Sequence, residues 1–203
     1  MDVKNKQKPL ERIRSILKDQ DGILQASDLE KVGIPRTYLS SMTKKGELQR
    51  VSRGVYSAAA DLADEMAALQ ARYKGAIFSH ETSLYLLDLS DRTPLFYSVS
   101  VPSGYNASSL KASGAKVYFV NRRLYTLGLI SLKSPNGHAI KTFGLERTIC
   151  DVLRSRNQID VQLLNVALKC YVQKAERNID LLYEYALQFR VQKIVRQTIE
   201  VLL

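Results

Sequence analysis

The spacing of apolar and polar residues divides the chain into a helical beginning, a β-rich middle and a helical end. Leu10, Ile13, Ile16 and Leu17 recur at helical spacing. They predict an amphipathic helix led by Pro9 and closed before Gly22. Ile23 to Gln25 fits a short strand. Ser27 or Ala26 opens a second helix that buries Leu29 and Val32, with Ser27 and Glu30 at capping-box spacing. Gly33 breaks that helix, and Pro35 suits the first position of the next. Tyr38, Leu39 and Met42 form the apolar side of this third helix, and Gly46 ends it. Leu48 to Tyr56 reads as two extended runs around Arg53-Gly54, where glycine supplies the positive φ of a tight hairpin. Helix, short strand, helix, glycine turn, helix and hairpin is the winged helix-turn-helix order, complete near Ser57.

Asp61 to Tyr73 reads as a further helix. Asp61, Asp64 and Glu65 lie in its first turns, where negative charge suits the macrodipole. Leu62, Met66, Leu69 and Tyr73 form its apolar stripe. Ala76 to Phe78 fits a strand, and Ser79 caps a helix running to about Leu89. The pattern then turns to β over Leu95–Val101, Lys116–Val120, Leu127–Leu132 and Ala139–Phe143, with turn chemistry at Pro102, Gly104, Gly114 and Pro135-Asn136-Gly137. Ala107 to Ser113 is a short helix between two strands. From Leu145 onward the pattern is helical, broken near Asn157, Asn178 and Phe189. The expected fold class is α+β: an N-terminal winged helix-turn-helix followed by a small mixed sheet with a C-terminal helical layer. The expected domains are 1–57 and 58–203, the second long enough to bury its own core.

Charge changes the picture of the first domain. Acidic and basic residues cancel from Met1 to Glu30. Lys31, Arg36, Lys44, Lys45, Arg50 and Arg53 then stand against Glu47 alone, so the positive excess sits on the third helix and the hairpin. Arg36, Thr37, Ser40, Ser41 and Lys44 lie opposite the apolar side of that helix. Short polar and cationic side chains pack poorly but read base edges well. These residues, with Lys45, Arg50 and Arg53, are the candidate DNA-binding set. A solvated basic face is the bland alternative, set against a cluster confined to one helix and one β-ribbon.

The whole chain of 203 residues carries a net charge of +10 and a pI near 9.6, which favours polyanionic partners. No apolar run approaches the roughly 20 residues of a membrane helix. The start, MDVKNKQKPLERIR, has no apolar h-region. A cytoplasmic location follows as the expectation. Cys150 and Cys170 match no metal spacing and read as buried reduced thiols.

From Arg92 to Leu145 there is no acidic residue. Arg122, Arg123 and Lys133, beside predicted strand ends, are candidates for a second basic face. Tyr97, Tyr105, Tyr118 and Tyr125 fall in or near the same stretch, where aromatic rings beside arginines could stack single-stranded bases. Ordinary strand packing explains them more simply. Tyr171, Tyr183 and Tyr185 read as packing residues of the last helices. His80 and Glu81 adjoin at a helix start, but neighbouring helical residues point apart, so capping or core roles fit better than a shared catalytic site. His138 falls at a turn. Two histidines without HxH or HExxH spacing argue against a zinc enzyme, and no phosphate-cradling glycine motif is present. The expectation is a non-enzyme with no catalytic residues, no metal and no cofactor.

Three segments carry a family resemblance. RVSRGVYS after a helix-turn-helix, SHETSLYLLDLSDRTP at Ser79 to Pro94, and FGLERTICDVLR at Phe143 to Arg154 resemble the AbiEi antitoxins of type IV, abortive-infection toxin–antitoxin systems. The resemblance implies a winged helix that represses its own operon by binding inverted repeats in promoter DNA. It also implies a C-terminal domain that counters a nucleotidyltransferase-like toxin without a stable complex. The alternative is a plain winged-helix regulator whose C-terminal domain senses a ligand or dimerises. A third possibility is an RNA-binding or enzymatic module that carries a winged helix.

Overall fold

The computed structural model describes residues 3–20, 22–58 and 64–202. The chain forms two compact units, residues 1–74 with 133–140 and residues 75–132 with 141–203.

The first unit holds α1 (Val3–Asp19), β1 (Ile23–Gln25), α2 (Ala26–Lys31), α3 (Thr37–Lys44), β2 (Leu48–Ser52), β3 (Val55–Ala58) and α4 (Glu65–Arg72). The strands form an antiparallel sheet in the order β1-β3-β2. Ile13, Leu17, Leu24, Leu29, Ile34, Leu39, Met42 and Leu48 build its core. This is the winged helix-turn-helix arrangement that the apolar spacing predicts.

Several local expectations change. Pro9 lies inside α1 rather than at its start. The Asp28 carboxylate accepts the Gln25 N–H at 3.3 Å, so the box at α2 is Gln25 with Asp28, not Ser27 with Glu30. Val32 is 40% exposed, because α2 has ended and Gly33 turns the chain so that Ile34 enters the core instead. The regular helix α3 starts at Thr37, and Pro35 contributes the carbonyl that accepts from Tyr38 N–H at 3.2 Å.

α4 also starts later than its acidic run suggests. Asp64 is the N-cap, its side chain accepting from Ala67 N–H at 3.0 Å. Asp61 and Leu62 lie outside the described residues. Because α4 packs on β1 and β3, the compact unit reaches Lys74 instead of closing near Ser57. The Gln25 side-chain amide donates to the Ala71 carbonyl and ties the two elements. Asp64 also accepts from His138 Nδ1 at 3.0 Å and from the Ser134 hydroxyl. One buried carboxylate thereby caps α4 and holds the turn at 133–140.

The second unit holds β4 (Ile77–Phe78), α5 (His80–Leu86), β5 (Ser98–Pro102), α6 (Ser108–Ala112) and β6 (Lys116–Val120). It continues through most of β7 (Leu129–Lys133) and β8 (Ala139–Phe143), of which Lys133, Ala139 and Ile140 count with the first unit, and through α7 (Leu145–Arg154), α8 (Val161–Gln173), α9 (Ile179–Phe189) and α10 (Gln192–Ile199). The sheet order is β6-β5-β4-β8-β7. β4 and β5 pair antiparallel, while β4/β8 and β5/β6 pair parallel. The sheet is therefore mixed, and the α+β class holds. Leu95 stands clear of the predicted strand at 99% exposed, and β5 begins at Ser98. Ile149, Val152, Leu153, Leu168, Leu182, Val195 and Ile199 form the core of the helical layer. Cys150 is buried there, and burial pushes its thiol up to about 12. Cys170 is only partly buried, contrary to expectation. No helix among the described residues is long and apolar enough to cross a membrane.

Candidate nucleic-acid interface

α3 presents two chemically distinct sides. Leu39 and Met42 are 1% and 2% exposed, and Tyr38 is partly buried beside them. Arg36, Thr37, Ser40, Ser41, Lys44 and Lys45 are all exposed. The helix ends sharply. Gly46 has φ +72°, its N–H donates to Thr43 O, and Glu47 N–H donates to Met42 O at 2.9 Å. Those two bonds are a Schellman cap, which satisfies the last carbonyls and turns the chain directly into β2. The hairpin follows with Gly54 at φ +79° and a register shift between Arg50 and Ser52. Arg50 and Arg53 are exposed. Arg50 Nε donates to Ser52 O at 3.4 Å.

The helix start and the wing tip meet in a cleft of about 320 Å³. Arg36, Arg53 and Arg72 all line it, with Ser27 and Gln25 between them. Three arginines on one cleft are the side-chain type that binds phosphate. Arg36 pairs with Glu30 at 2.7 Å, but both side chains are more than half exposed. Such a pair is worth little and can yield to a phosphate. Arg72 is the member that sequence reasoning missed. It sits on α4, beyond the winged helix as the pattern delimits it, and only the packing of α4 on the sheet brings it to the wing.

Of the second candidate face, Arg122 and Arg123 belong to one compact unit and Lys133 to the other. All three are exposed, and Arg122 Nε donates to Ser103 O at 3.2 Å.

The second unit also holds charge inside, at Arg147 and Asp151. Arg147 is 0% exposed. Its Nε donates to Asp151 at 3.0 Å, and its Nη1 donates to the carbonyls of Leu124 and Leu127 at 2.8 and 2.6 Å. Phe143 and Phe189 sandwich the guanidinium, their ring centres 4.0 and 4.2 Å from it. A side chain at Gly128 would place Cβ 2.7 Å from Arg147 Cβ, so this approach requires glycine. Burial raises the Asp151 carboxyl against the pull of Arg147, and burial lowers Arg147 against the pull of Asp151.

His80 lies beside this pair. Its φ is +49°, unusual outside glycine. Its Nδ1 meets Ser79 Oγ at 2.9 Å and its Nε2 meets Ser155 Oγ at 3.1 Å. The Ser79 hydroxyl therefore bonds the ring and makes no cap hydrogen bond to α5, although Ser79 stands at the N-cap. The His80 ring stacks on Tyr118, centres 3.4 Å apart. Burial holds the His80 pKa well below its ordinary value, helped by Lys116, Arg147 and Arg154. Glu81 accepts from Lys116 Nζ at 2.7 Å and from the Ser98 hydroxyl at 2.7 Å, and lies 3.5 Å from the Tyr118 hydroxyl. His80 and Glu81 thus do converge on Tyr118, contrary to the expectation that they point apart, because His80 leaves helical geometry. Burial, then Glu81, raises the Tyr118 phenol pKa strongly.

Neither polar cluster assembles a catalytic triad. In the first unit, Asp64, Ser134 and His138 adjoin, but serine and histidine both bond the carboxylate, so the ring is not set as a base on the hydroxyl. In the second, the ring lies between two serines with no carboxylate to orient it.

These features define a winged-helix protein whose second unit is a mixed sheet with a helical layer. Residues 11–59, from α1 through the wing, match the family of transcriptional regulators described as AbiEi antitoxins. That match bears out the resemblance and supports a regulator or antitoxin role. Among solved structures, the chain is similar to the crystal structure of the RV2827C protein from Mycobacterium tuberculosis. The likeness covers 95% of this chain and 81% of that one, at 13% identity and a TM-score of 0.58. It concerns the fold alone. No curated protein matches the chain.

Proposed function

We propose that the protein is the antitoxin of a type IV toxin–antitoxin module, represses its own operon, and counters a nucleotidyltransferase-like toxin. The observation that supports DNA reading is the shared cleft. The start of α3 and the tip of the wing turn Arg36 and Arg53 toward one site, with the exposed row Thr37, Ser40, Ser41 and Lys44 on the same helix. Thr37, Ser40, Ser41 and Lys44 meet base edges in a major groove. Arg36, Lys45, Arg50, Arg53 and Arg72 meet phosphates, which position the helix without reading sequence. Inverted repeats upstream of the gene would seat two copies. The first unit carries repression and the second carries protection from the toxin, acting without a stable complex.

A Thr37/Lys44 double alanine variant tests this. Its loss on the upstream DNA should be about 1–3 kcal/mol and smaller on random DNA of equal length, measured by gel shift. Expressed from an independent promoter in cells carrying the neighbouring toxin gene, it should still protect. Equal losses on both DNAs would reassign these residues to phosphate contacts. Failure to protect would join the two activities in one surface.

A further inference from the structure

Strand β6 ends the sheet of the second unit, and its outer edge has no partner strand among the described residues. The hydrogen bonds show which residues face outward. Lys116 N–H donates to Tyr97 O at 2.9 Å, and Val120 O accepts from Ser103 N–H at 2.8 Å. Lys116, Tyr118 and Val120 therefore turn their backbones toward β5. Val117 and Phe119 turn theirs outward, because strand residues alternate. Two N–H groups and two carbonyls therefore face away from β5. An open edge of β-branched and aromatic residues is a template for another strand.

A cavity of about 370 Å³ runs along this edge, lined by Val117 to Val120 and by His80, Asp151, Arg154, Ser155 and Gln158. Asp151 is spent on Arg147 and is 2% exposed. Arg154 is exposed and in no ion pair among the described residues. On the other side of the strand Phe119 is 44% exposed, with Lys111 Nζ 5.4 Å from its ring centre. Phe96, 48% exposed, stands near the start of the strand, 5.9 Å from Lys116 Nζ. The edge is thus flanked by Arg154 and Lys111, neither in an ion pair among the described residues, and by exposed aromatic rings.

We infer that the β6 edge is a docking site for an extended acidic segment of a partner protein. The segment adds to the sheet beside Val117 and Phe119 and sets a carboxylate against Arg154. Backbone bonds supply the general affinity of strand addition, and side-chain pockets supply selection. A second copy of this chain is the less suitable occupant, because edge-to-edge pairing would bring Lys111 and Arg154 against their own copies. The inference is independent of DNA reading, which uses the other unit.

The test uses the full chain and two fluorescent peptides, one alternating glutamate with valine and one alternating lysine with valine. The acidic peptide should bind at least about tenfold more tightly, read by anisotropy. Hydrogen exchange at the Val117 and Phe119 amides should slow when it binds. Phe119→Pro and Val117→Pro each remove an N–H that faces away from β5, so the existing ladder survives while strand addition is blocked. Each should weaken binding at least about tenfold with an unchanged melting temperature. Arg154→Glu should reverse the peptide preference. The inference is overturned if the acidic peptide does not bind, or if folded proline variants bind it unchanged. It is equally overturned if the chain dimerises through this edge and Phe119→Pro abolishes the dimer. If both proline variants unfold, the amides of the unaltered chain decide, and no slowing on peptide addition overturns it.

Discussion

In the first unit the cations of helix and wing stand outside a small apolar core, whereas the second unit buries one of its arginines, Arg147. Arg36, Lys44, Lys45, Arg50 and Arg53 are exposed, while Leu39 and Met42 are buried in the core. Arg147 is fully buried, held by Asp151 and two carbonyls between two aromatic rings. Exposed charge costs little to keep and is free for a polyanion. Buried charge is costly unless every partner stays in place, so it fixes geometry rather than meeting a ligand. Charge near a surface can therefore be removed with little effect on folding, and the buried Arg147–Asp151 pair cannot.

The largest effect expected from this contrast is at Arg147. Arg147→Ala strands the Asp151 carboxylate and frees the Leu124 and Leu127 carbonyls. Removing one partner of a buried pair should cost about 3–5 kcal/mol, read as a fall in the urea midpoint of the second unit. The double change Arg147→Met with Asp151→Leu should recover much of that loss, since apolar replacement of a whole buried pair is often near neutral. A loss below about 1 kcal/mol for the single change would show that the pair does not hold the unit together.

A smaller effect concerns pH. His80 is buried neutral, with its native pKa below the unfolded value of 6.5. Below that pH the unfolded chain takes up a proton that the folded ring refuses. Its contribution to stability is therefore complete above about 6.5 and drains away as pH falls toward the native value, by about 1.4 kcal/mol per pH unit. His80→Asn keeps a residue that tolerates positive φ but does not titrate. The variant's stability should change less steeply between those limits, measured by denaturant titration at several pH values. An unchanged slope would place the acid sensitivity elsewhere.

The first unit was the more legible in the sequence, for a physical reason. Its elements are consecutive and local, so apolar spacing, Gly46 and Arg53-Gly54 suffice to define α3, its end and the wing. The exposed row of α3 follows from the same periodicity. The second unit depends on pairings between distant residues. Nothing local announces that Ser79 turns from capping to bonding His80, or that Glu81 meets Lys116 across 35 positions. The contact of His80 with Ser155 spans 75. Arg147 looks like a surface cation of an amphipathic helix until its carbonyl partners are known. The same limit hid Arg72, since α4 returns to the sheet from beyond the wing.

Arg72 provides the smallest and most specific effect. It shares a cleft with Arg36 and Arg53, yet its guanidinium lies 5.0 Å from the Tyr73 ring centre, and its helix is held independently by Asp64 and by burial of Met66, Ala67 and Ala68. Arg72→Ala should therefore leave stability within about 0.5 kcal/mol. If the cleft holds a phosphate, the variant should bind DNA more weakly on every sequence. The log–log dependence of affinity on salt should flatten by about 0.9, the slope of one phosphate contact. Arg53→Ala should do the same, and the two changes together should flatten the slope by close to the sum, since each guanidinium would release its own counterion. Thr37→Ala should leave the slope alone and change only the preference between sequences. A salt dependence unchanged in Arg72→Ala, beside a flattened one in Arg53→Ala, would confine the interface to α3 and the wing and leave α4 as a structural support of the sheet.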